Sequence, residues 1–141
     1  KMRTMRIAKK EEAAQRELLM TKDKDERITK VGRFLRKTRL DELPQLVNVM
    51  RGELSFIGPR PEAMPLSEWY EQEIDFYRYR HVVRPGITGW AQVNQGHVTS
   101  PKDVARKLEY DFYYVRYFSL WLDLLIVTKT IGIVLTGRGS R

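Results

Sequence analysis

Residues 36–46 read RKTRLDELPQL, and residues 58–62 read GPRPE. In the first segment two adjacent carboxylates, Asp41 and Glu42, follow a basic run, and Pro44 comes three residues after Asp41. Such a proline is tolerated only in the first turn of a helix. The pattern therefore predicts that a helix begins at this point, with acidic and basic side chains together at its start.

The helix that begins here has apolar residues at helical spacing. They are Leu43, Leu46, Val47 and Met50. This register predicts Asp41 at or near the N-cap and Glu42 in the first turn, where the helix dipole favours anions. Taken alone, the acidic pair is therefore most simply interpreted as a helix cap and its neighbour.

Helical spacing also predicts a helix from Ile28 and a solvated helix over residues 9–19, with a loop at residues 21–26 between them. After the opening segment, residues 53–57 are expected to be extended, and residues 58–61 to form a turn that two prolines make rigid.

A third helix is predicted from Pro65, with an aromatic stripe that continues to Tyr77. Residues 87–93 are expected to form a short strand, in which Gly89 lies close to another backbone.

Two further helices are predicted toward the carboxyl end. Ser100 and Pro101 have the N-cap and N1 chemistry of a helix that runs to about Tyr117. Ser119 caps a last helix over residues 120–135, which Gly137 ends. That helix is apolar nearly all round but short for a membrane span, so a buried core helix and a helix in a bilayer interface both remain open. The expected fold is α+β, mostly α with short β or extended segments.

Composition limits the function classes. The chain has 141 residues, 42% apolar and 31% charged, which fits one folded domain. It has no cysteine and two histidines without metal-ligand spacing, so a thiolate or histidine zinc site is not expected.

Residues 1–40 carry 14 Lys and Arg against 6 Asp and Glu, whereas the remainder is balanced. This asymmetry indicates nucleic acid, phospholipid head groups or a phosphorylated small molecule as partner, or else a solvated basic face.

The basic residues near the acidic pair favour phosphate chemistry. Arg36 and Arg39 precede the pair, and the rigid turn could bring Arg60 beside it. Arginines bind phosphate oxygens in bidentate geometry. A hard carboxylate ligand such as Glu42 suits Mg²⁺, which binds one or two carboxylates together with substrate phosphates. These are the components that phosphoryl transfer requires.

The chain resembles the bacterial sugar transferases, and more closely the monotopic phosphoglycosyl transferases that act on polyprenyl phosphates. The residues that carry the resemblance occur as ordered blocks along the whole chain. The blocks are KMRTMR at 1–6, KVGRFLRKTRLDELPQL at 30–46, SFIGPRP at 55–61, RPGITGWAQVN at 84–94, YDFYYV at 110–115 and SLWLDL at 119–124.

The resemblance implies a covalent two-step reaction. The carboxylate matching Asp41 attacks the β-phosphate of a nucleotide diphosphate sugar, typically a UDP-sugar, and a polyprenyl phosphate such as undecaprenyl phosphate then takes the phosphosugar. The position matching Glu42 binds Mg²⁺, and those matching Arg36, Arg60 and Lys1 bind phosphate or nucleotide.

Two carboxylates near the carboxyl end, Asp111 and Asp123, also fall in family blocks and are assigned to substrate binding on that ground. For Asp123 a buried, hydrogen-bonded carboxylate in an apolar helix remains an open alternative.

The resemblance also implies a location and a context. Residues 1–141 would be a single catalytic domain at the cytoplasmic face of the bacterial inner membrane, within a longer membrane-associated chain. A hydrophobic re-entrant helix is expected before the block at Lys1, and the basic amino-terminal third suits an anionic leaflet. A homo-oligomer is left open. The product would begin a surface glycan such as exopolysaccharide, lipopolysaccharide or capsule.

One departure from the family pattern and two alternative functions are considered beside this interpretation. Many family members have Gly-Arg where this chain has Gln95-Gly96-His97, so His97 is either a substrate-specific contact or an ordinary loop histidine. A nucleic-acid-binding module would need stacking aromatics among the basic residues, and residues 1–40 contain only Phe34. A non-catalytic membrane-surface or assembly domain is the remaining alternative.

Overall fold

The computed structural model describes residues 2, 4, 28–38, 40–95 and 101–136. In chain order its elements are α1 (Lys30–Lys37), a first 3-10 turn (Leu40–Glu42), α2 (Gln45–Met50), β1 (Ser55–Ile57), α3 (Met64–Glu73), a second 3-10 segment (Tyr77–Val82), β2 (Gly86–Thr88), α4 (Trp90–Gln95), α5 (Pro101–Arg116) and α6 (Leu120–Thr136). The fold is mostly helical with one small sheet, which confirms the predicted class. The predicted helix at 9–19, the loop at 21–26 and the caps at Ser100 and Gly137 lie outside the described residues.

The small sheet depends on a close backbone contact. The strands β1 and β2 pair in parallel, with Ser55 opposite Gly86 and Ile57 opposite Thr88. A Cβ atom added to Gly86 would lie 2.1 Å from the backbone nitrogen of Gly58. Only glycine therefore allows the two chains to meet here, and the contact fixes where the turn after β1 leaves the sheet.

The strand predicted over residues 87–93 is wrong beyond Thr88. The chain turns at Gly89 and forms α4 from Trp90, which buries Ala91 against the core. The predicted close approach of Gly89 is present, because an added Cβ would lie 2.2 Å from the carbonyl oxygen of Gly58. Packing at this glycine ends the strand, and the apolar run that follows it is buried as a helix.

The third helix also differs from its prediction at both ends. It begins at Met64, one residue before Pro65, and ends at Glu73. Tyr77 belongs instead to the second 3-10 segment, because the chain is extended at Ile74 and left-handed at Phe76, where φ is 65°. The aromatic stripe nevertheless comes together, since the rings of Tyr70 and Tyr77 lie 5.3 Å apart.

Two apolar clusters form the core, and α5 contributes to both. The first cluster contains Leu66, Tyr70, Tyr77, Val104 and Leu108. The second contains Tyr114, Leu122 and Ile126, with Ile57, Val83, Trp90 and Val93 packed against it. Because α5 supplies side chains to each cluster, it joins the sheet and α6 to the helices that precede them.

The last helix contacts the core on one side only. Its predicted cap is confirmed, since the backbone nitrogen of Leu122 donates to Ser119 Oγ at 3.2 Å. Leu122 and Ile126 are buried, so the core interpretation holds for that face. Large apolar side chains are exposed elsewhere on this helix and on α1 and α2. They include Val31, Phe34, Leu46, Met50, Leu120, Trp121, Leu124 and Leu135. Among the described helices, none has the length and apolar character needed to cross a bilayer.

Two glycine substitutions test the close contact at the sheet. Gly86→Ala is expected to destabilise the domain by about 1–3 kcal/mol, because the added methyl group meets backbone atoms that cannot rotate away. Urea unfolding of the variant and the wild type measures the difference.

Gly132→Ala in α6 is the matched control, since no atom lies within 4 Å of its added methyl group. It is expected to stabilise the domain by about 0.5–1 kcal/mol through higher helix propensity. Equal effects of the two substitutions would contradict the proposed role of the Gly58–Gly86 contact.

Candidate active site

The predicted carboxylate pair lies in the first 3-10 turn, between α1 and α2. Thr29 caps the start of α1 by accepting a hydrogen bond from the backbone nitrogen of Gly32 at 2.9 Å, and the helix ends before Thr38. Pro44 occupies the N-cap position of α2. Asp41 therefore lies near the start of α2 but is not its N-cap, and the prediction that Glu42 lies in the first turn of that helix is wrong, because both belong to the preceding 3-10 turn. Proline disfavours helical geometry in the residue before it, so the chain makes a separate short turn before α2 begins.

Asp41 is almost completely buried, with 2% of its surface exposed. Its backbone carbonyl accepts a hydrogen bond from the backbone nitrogen of Met2 at 2.8 Å. Met2 thus lies directly against the turn that carries the carboxylates. Lys1, which the resemblance assigns to phosphate or nucleotide binding, is outside the described residues, as are Arg39 and His97.

Thr4 connects this amino-terminal segment to α1. Its carbonyl oxygen accepts from the backbone nitrogen of Thr29 at 3.2 Å, and its hydroxyl accepts from Arg36 Nε at 2.9 Å. A Cβ atom on Gly32 would lie 2.1 Å from the Thr4 carbonyl oxygen, so glycine is required at this crossing. The predicted phosphate ligand Arg36 is held in this way on the helix that packs against the carboxylate turn.

The structure places Arg60 where the rigid turn was expected to bring it. Arg60 Nη2 donates to Glu42 Oε1 at 3.1 Å, across 18 residues of sequence. Pro59, before Arg60, is buried, and Pro61, after it, disfavours helical geometry at Arg60. The turn at Pro59–Pro61 therefore brings an arginine into contact with the segment that carries both carboxylates.

Asp111 contacts Arg80 in a buried ion pair. Arg80 Nε and Nη2 lie 2.8 and 2.7 Å from Asp111 Oδ2, with 1% and 2% of the two side chains exposed. Burial lowers the pKa of the Arg80 guanidinium, but Asp111, Tyr77 and Glu62 together outweigh that effect and the pKa is raised. The assignment of Asp111 to substrate binding stays a prediction, and the contact that the structure gives it is with Arg80.

Glu62 and Lys107 form a second ion pair beside the first. Burial lowers the pKa of Lys107 below its usual value, and the Glu62 carboxylate opposes this shift. Neither Arg80 nor Lys107 was predicted, because both pairs join residues far apart in sequence. The one available signal is the four-residue spacing of Lys107 and Asp111, which places them on one face of α5.

Asp123 is a hydrogen-bonded carboxylate in an apolar helix, as the alternative to substrate binding predicts. Its Oδ1 accepts a hydrogen bond from the Tyr114 hydroxyl at 2.9 Å, within the second core cluster. Burial raises the pKa of Tyr114 above its usual value, as the hydrogen bond to Asp123 also does. The bond joins α5 to the start of α6. A substrate contact for Asp123 stays a prediction.

In the described part of the chain, no group of three or more His, Asp or Glu side chains forms a site for a metal ion. A cation held by protein ligands alone would need such a group. Mg²⁺ commonly binds one or two carboxylates and takes its remaining ligands from phosphates and water. The carboxylate of Glu42, beside Asp41, fits that smaller requirement.

Comparison with known protein families identifies the chain. A family model described as bacterial sugar transferase matches residues 1–137, which include every element described above. The chain belongs to the bacterial sugar transferase family. The resemblance seen in its ordered blocks is therefore confirmed at the level of the family.

Curated bacterial relatives carry more specific names. A UDP-N-acetylgalactosamine-undecaprenyl-phosphate N-acetylgalactosaminephosphotransferase of Aeromonas hydrophila is 56% identical over 119 residues, covering 84% of this sugar transferase and 28% of the relative. A UDP-glucose:undecaprenyl-phosphate glucose-1-phosphate transferase of Escherichia coli K12 is 49% identical over 109 residues, which cover 76% of this chain and 24% of the relative. A UDP-galactose-lipid carrier transferase of Erwinia amylovora is 45% identical, covering 82% and 23%. The chain thus spans about a quarter of the length of these relatives.

The buried tyrosines of this chain give it a predicted alkaline transition. Burial raises the pKa of Tyr77 to about 12, although nearby Arg80 lowers it. A folded-state pKa above the unfolded value of about 10 adds stability that is complete below pH 10 and lost as the pH rises toward 12. Urea unfolding at several pH values should show this loss, and Tyr77→Phe should make it shallower. The lowered pKa of Lys107 has the opposite effect on stability, but it is present in both proteins. An equal dependence of the unfolding free energy on pH in the two would therefore contradict a contribution from Tyr77.

Proposed function

We propose that this domain transfers a sugar 1-phosphate from a UDP-sugar to a polyprenyl phosphate such as undecaprenyl phosphate. The observation that carries the proposal is the 3.1 Å contact between Arg60 and Glu42, because it joins two separate family blocks beside Asp41. The names of the relatives support the same donor and acceptor classes. Their sequences extend well beyond this domain, so the activity of the whole protein is part of the proposal.

In the first proposed step, a carboxylate oxygen of Asp41 attacks the β-phosphorus of the UDP-sugar. A bond forms between that oxygen and phosphorus, the bond from phosphorus to the bridging oxygen breaks, and UMP leaves with the bond's electron pair. The phosphosugar is then held on Asp41 as an acyl phosphate. A carboxylate nucleophile divides a difficult transfer into two easier steps.

In the second proposed step, a phosphate oxygen of the polyprenyl phosphate attacks the same phosphorus. The bond to Asp41 breaks, the carboxylate is regenerated, and the product is a polyprenyl diphosphate sugar. Because UMP has already left, one site serves a soluble donor and a lipid acceptor in turn. The burial of Asp41 supports this scheme, since an acyl phosphate must be kept from water.

The two arginines at the site would hold the phosphates. Arg60 reaches the carboxylate turn from the rigid Pro-Arg-Pro segment, and Arg36 lies on the helix that packs against this turn. Guanidinium groups neutralise the charge on a transferring phosphoryl group, and most of the catalysis of phosphoryl transfer comes from such positioning and neutralisation. Lys1 is proposed for the same task from the resemblance alone.

Glu42, together with substrate phosphate oxygens, is proposed to hold Mg²⁺. When bound, the cation would supply positive charge near the pyrophosphate. The contact with Arg60 fixes the orientation of the Glu42 carboxylate, as partners of a metal ligand generally do.

The exposed apolar side chains support a membrane location for the domain. Apolar residues at helical spacing on α1 and α2, predicted from the sequence, are exposed at the surface. Trp121 and Leu120 add an exposed aromatic and aliphatic face at the start of α6. Helices of this kind bind the bilayer interface. We propose that the domain lies at the cytoplasmic face of the inner membrane, where its product would begin a surface glycan.

The covalent step is tested with the full-length protein. Incubation with Mg²⁺ and UDP-N-acetylgalactosamine, the donor named for the 56% identical relative, is expected to add one phosphosugar mass to the wild type. Asp41→Asn should show no adduct, because the amide is a poor nucleophile. Intact-mass spectrometry measures the adduct, and a UMP-release assay with UDP-glucose and UDP-galactose compares the other donors.

Asp75→Asn is the matched control, since Asp75 is exposed and far along the chain from the turn. It should behave as the wild type. Adduct or product formation by Asp41→Asn at the wild-type level would overturn the assignment of the nucleophile. Binding to anionic liposomes without UMP release from any donor would instead favour a non-catalytic membrane-surface domain.

The metal assignment gives a separate prediction. Glu42→Gln should raise the Mg²⁺ concentration for half-maximal UMP release at least tenfold, because partners that merely orient a metal ligand already contribute about 10–100-fold. Glu68→Gln, at an exposed position of α3, is the control. An unchanged Mg²⁺ titration for Glu42→Gln would remove Glu42 from the metal site.

A further inference from the structure

Four charged side chains lie around the Pro-Arg-Pro turn, one pair almost completely buried and the other largely so, and the proposed reaction uses none of them. Arg80 pairs with Asp111, and Lys107 pairs with Glu62. Two positive and two negative groups make the cluster neutral. Burying charges in this way contributes little net stability, because the desolvation penalty offsets the attraction. The cluster is therefore better explained by the position it gives to the backbone around it.

The cluster grips the turn on both sides of Pro61. On one side, Arg80 Nη2 donates to the backbone carbonyl oxygen of Arg60 at 2.9 Å. On the other side, Lys107 contacts the carboxylate of Glu62. The backbone carbonyl of Arg60 is thus held by the buried Arg80. The side chain of Glu62, two residues later, is held by Lys107 of α5.

Apolar packing does not hold the turn by itself. A cleft of about 200 Å³ lies against it, lined by residues that include Pro59, Arg60, Pro61 and His81. A segment beside open space has freedom to shift unless directed contacts restrict it. The two ion pairs provide such contacts in a region that side-chain packing leaves incomplete.

Arg80 is suited to this task because its donors have fixed directions. Nε and Nη2 contact Asp111, Nη1 donates to the Tyr77 hydroxyl at 3.0 Å, and Nη2 also reaches the Arg60 carbonyl. A lysine could keep the charge pair with Asp111, but its single ammonium could not maintain all of these directions. The geometry of the contacts, beyond their charge, is what the arginine adds.

We propose that Arg80 and Asp111, with Lys107 and Glu62, are positioning residues that fix the Arg60 turn so that the Arg60 guanidinium meets substrate phosphate beside the carboxylate pair. The inference rests on the proposed function in giving Arg60 a phosphate to bind. It gives Asp111 a role through Arg80, in place of direct contact with substrate.

The test is Arg80→Lys in the full-length protein. A displacement of about 1 Å at a catalytic group costs on the order of 100-fold, so kcat for UMP release should fall by about 10–100-fold. Ile126→Val is the control for a general loss of packing, because it removes one methyl group from the second core cluster. A kcat for Arg80→Lys equal to that of Ile126→Val would overturn the proposal.

A double-mutant cycle with Arg60→Ala separates positioning from general damage. If Arg80 acts through Arg60, then Arg80→Lys should change the rate less than about twofold once Arg60 is absent, since coupled residues are not additive. The same 10–100-fold loss in both backgrounds would mean that Arg80 acts independently of Arg60, and the proposal would fail.

A readout without turnover distinguishes failure of this inference from failure of the proposed function. Side-chain ¹⁵N relaxation of the Arg60 guanidinium, assigned from the Arg60→Ala spectrum, should show a rigid group in the wild type and a mobile one in Arg80→Lys. Unchanged relaxation would overturn the positioning role even if the enzyme is active. Loss of rigidity in a protein that releases no UMP would support the positioning role and reject the proposed reaction alone.

Discussion

The contact between the backbones of Gly58 and Gly86 is the constraint on which the site depends. A side chain at Gly86 would collide with the neighbouring strand, so the two short strands can pair only because it is glycine. The segment that follows β1 leaves the sheet in a direction set by that pairing. Arg60, two residues after Gly58, reaches Glu42 because the turn starts from this fixed point.

A second constraint acts on the other side of the carboxylates. Gly32 lets the carbonyl of Thr4 approach α1, and Thr4 in turn accepts a hydrogen bond from Arg36. The carboxylate turn is thus bordered by two glycine crossings, one at α1 and one at the sheet. The crossing at α1 holds Arg36, and the crossing at the sheet holds the turn that carries Arg60. The two carboxylates, in contrast, are brought together by their adjacency in the sequence.

Local signals in the sequence were enough for much of this arrangement. Helical spacing and capping residues located α1, α5 and α6, and the prolines around Arg60 predicted a turn that returns to Glu42. The errors arose where tertiary contacts override local preference. The apolar run after Thr88 has strand-like composition, yet Gly89 packs against Gly58 and the run becomes helical.

The site residues divide in the same way. Asp41, Glu42 and Arg60 were predicted as site residues because family blocks and local chemistry mark them, and the structure brings Arg60 to Glu42. Arg80 and Lys107 were not predicted, because their partners lie 31 and 45 residues away and the one local signal is the spacing of Lys107 and Asp111. Pairings of this kind become visible only when the chain is folded.

The participation of α5 in both core clusters bears on how the domain opens. Val104 and Leu108 pack in the first cluster and Tyr114 in the second, while Asp111 lies between them on the same helix. Loss of either cluster would remove part of the support of the other. The amides of α5 should therefore exchange with solvent only by global unfolding, in contrast to a helix at the edge of a domain. On the proposed role of Arg80, this cooperativity would also restrain the Arg60 turn, because Asp111 of α5 holds Arg80 and Arg80 holds the Arg60 carbonyl.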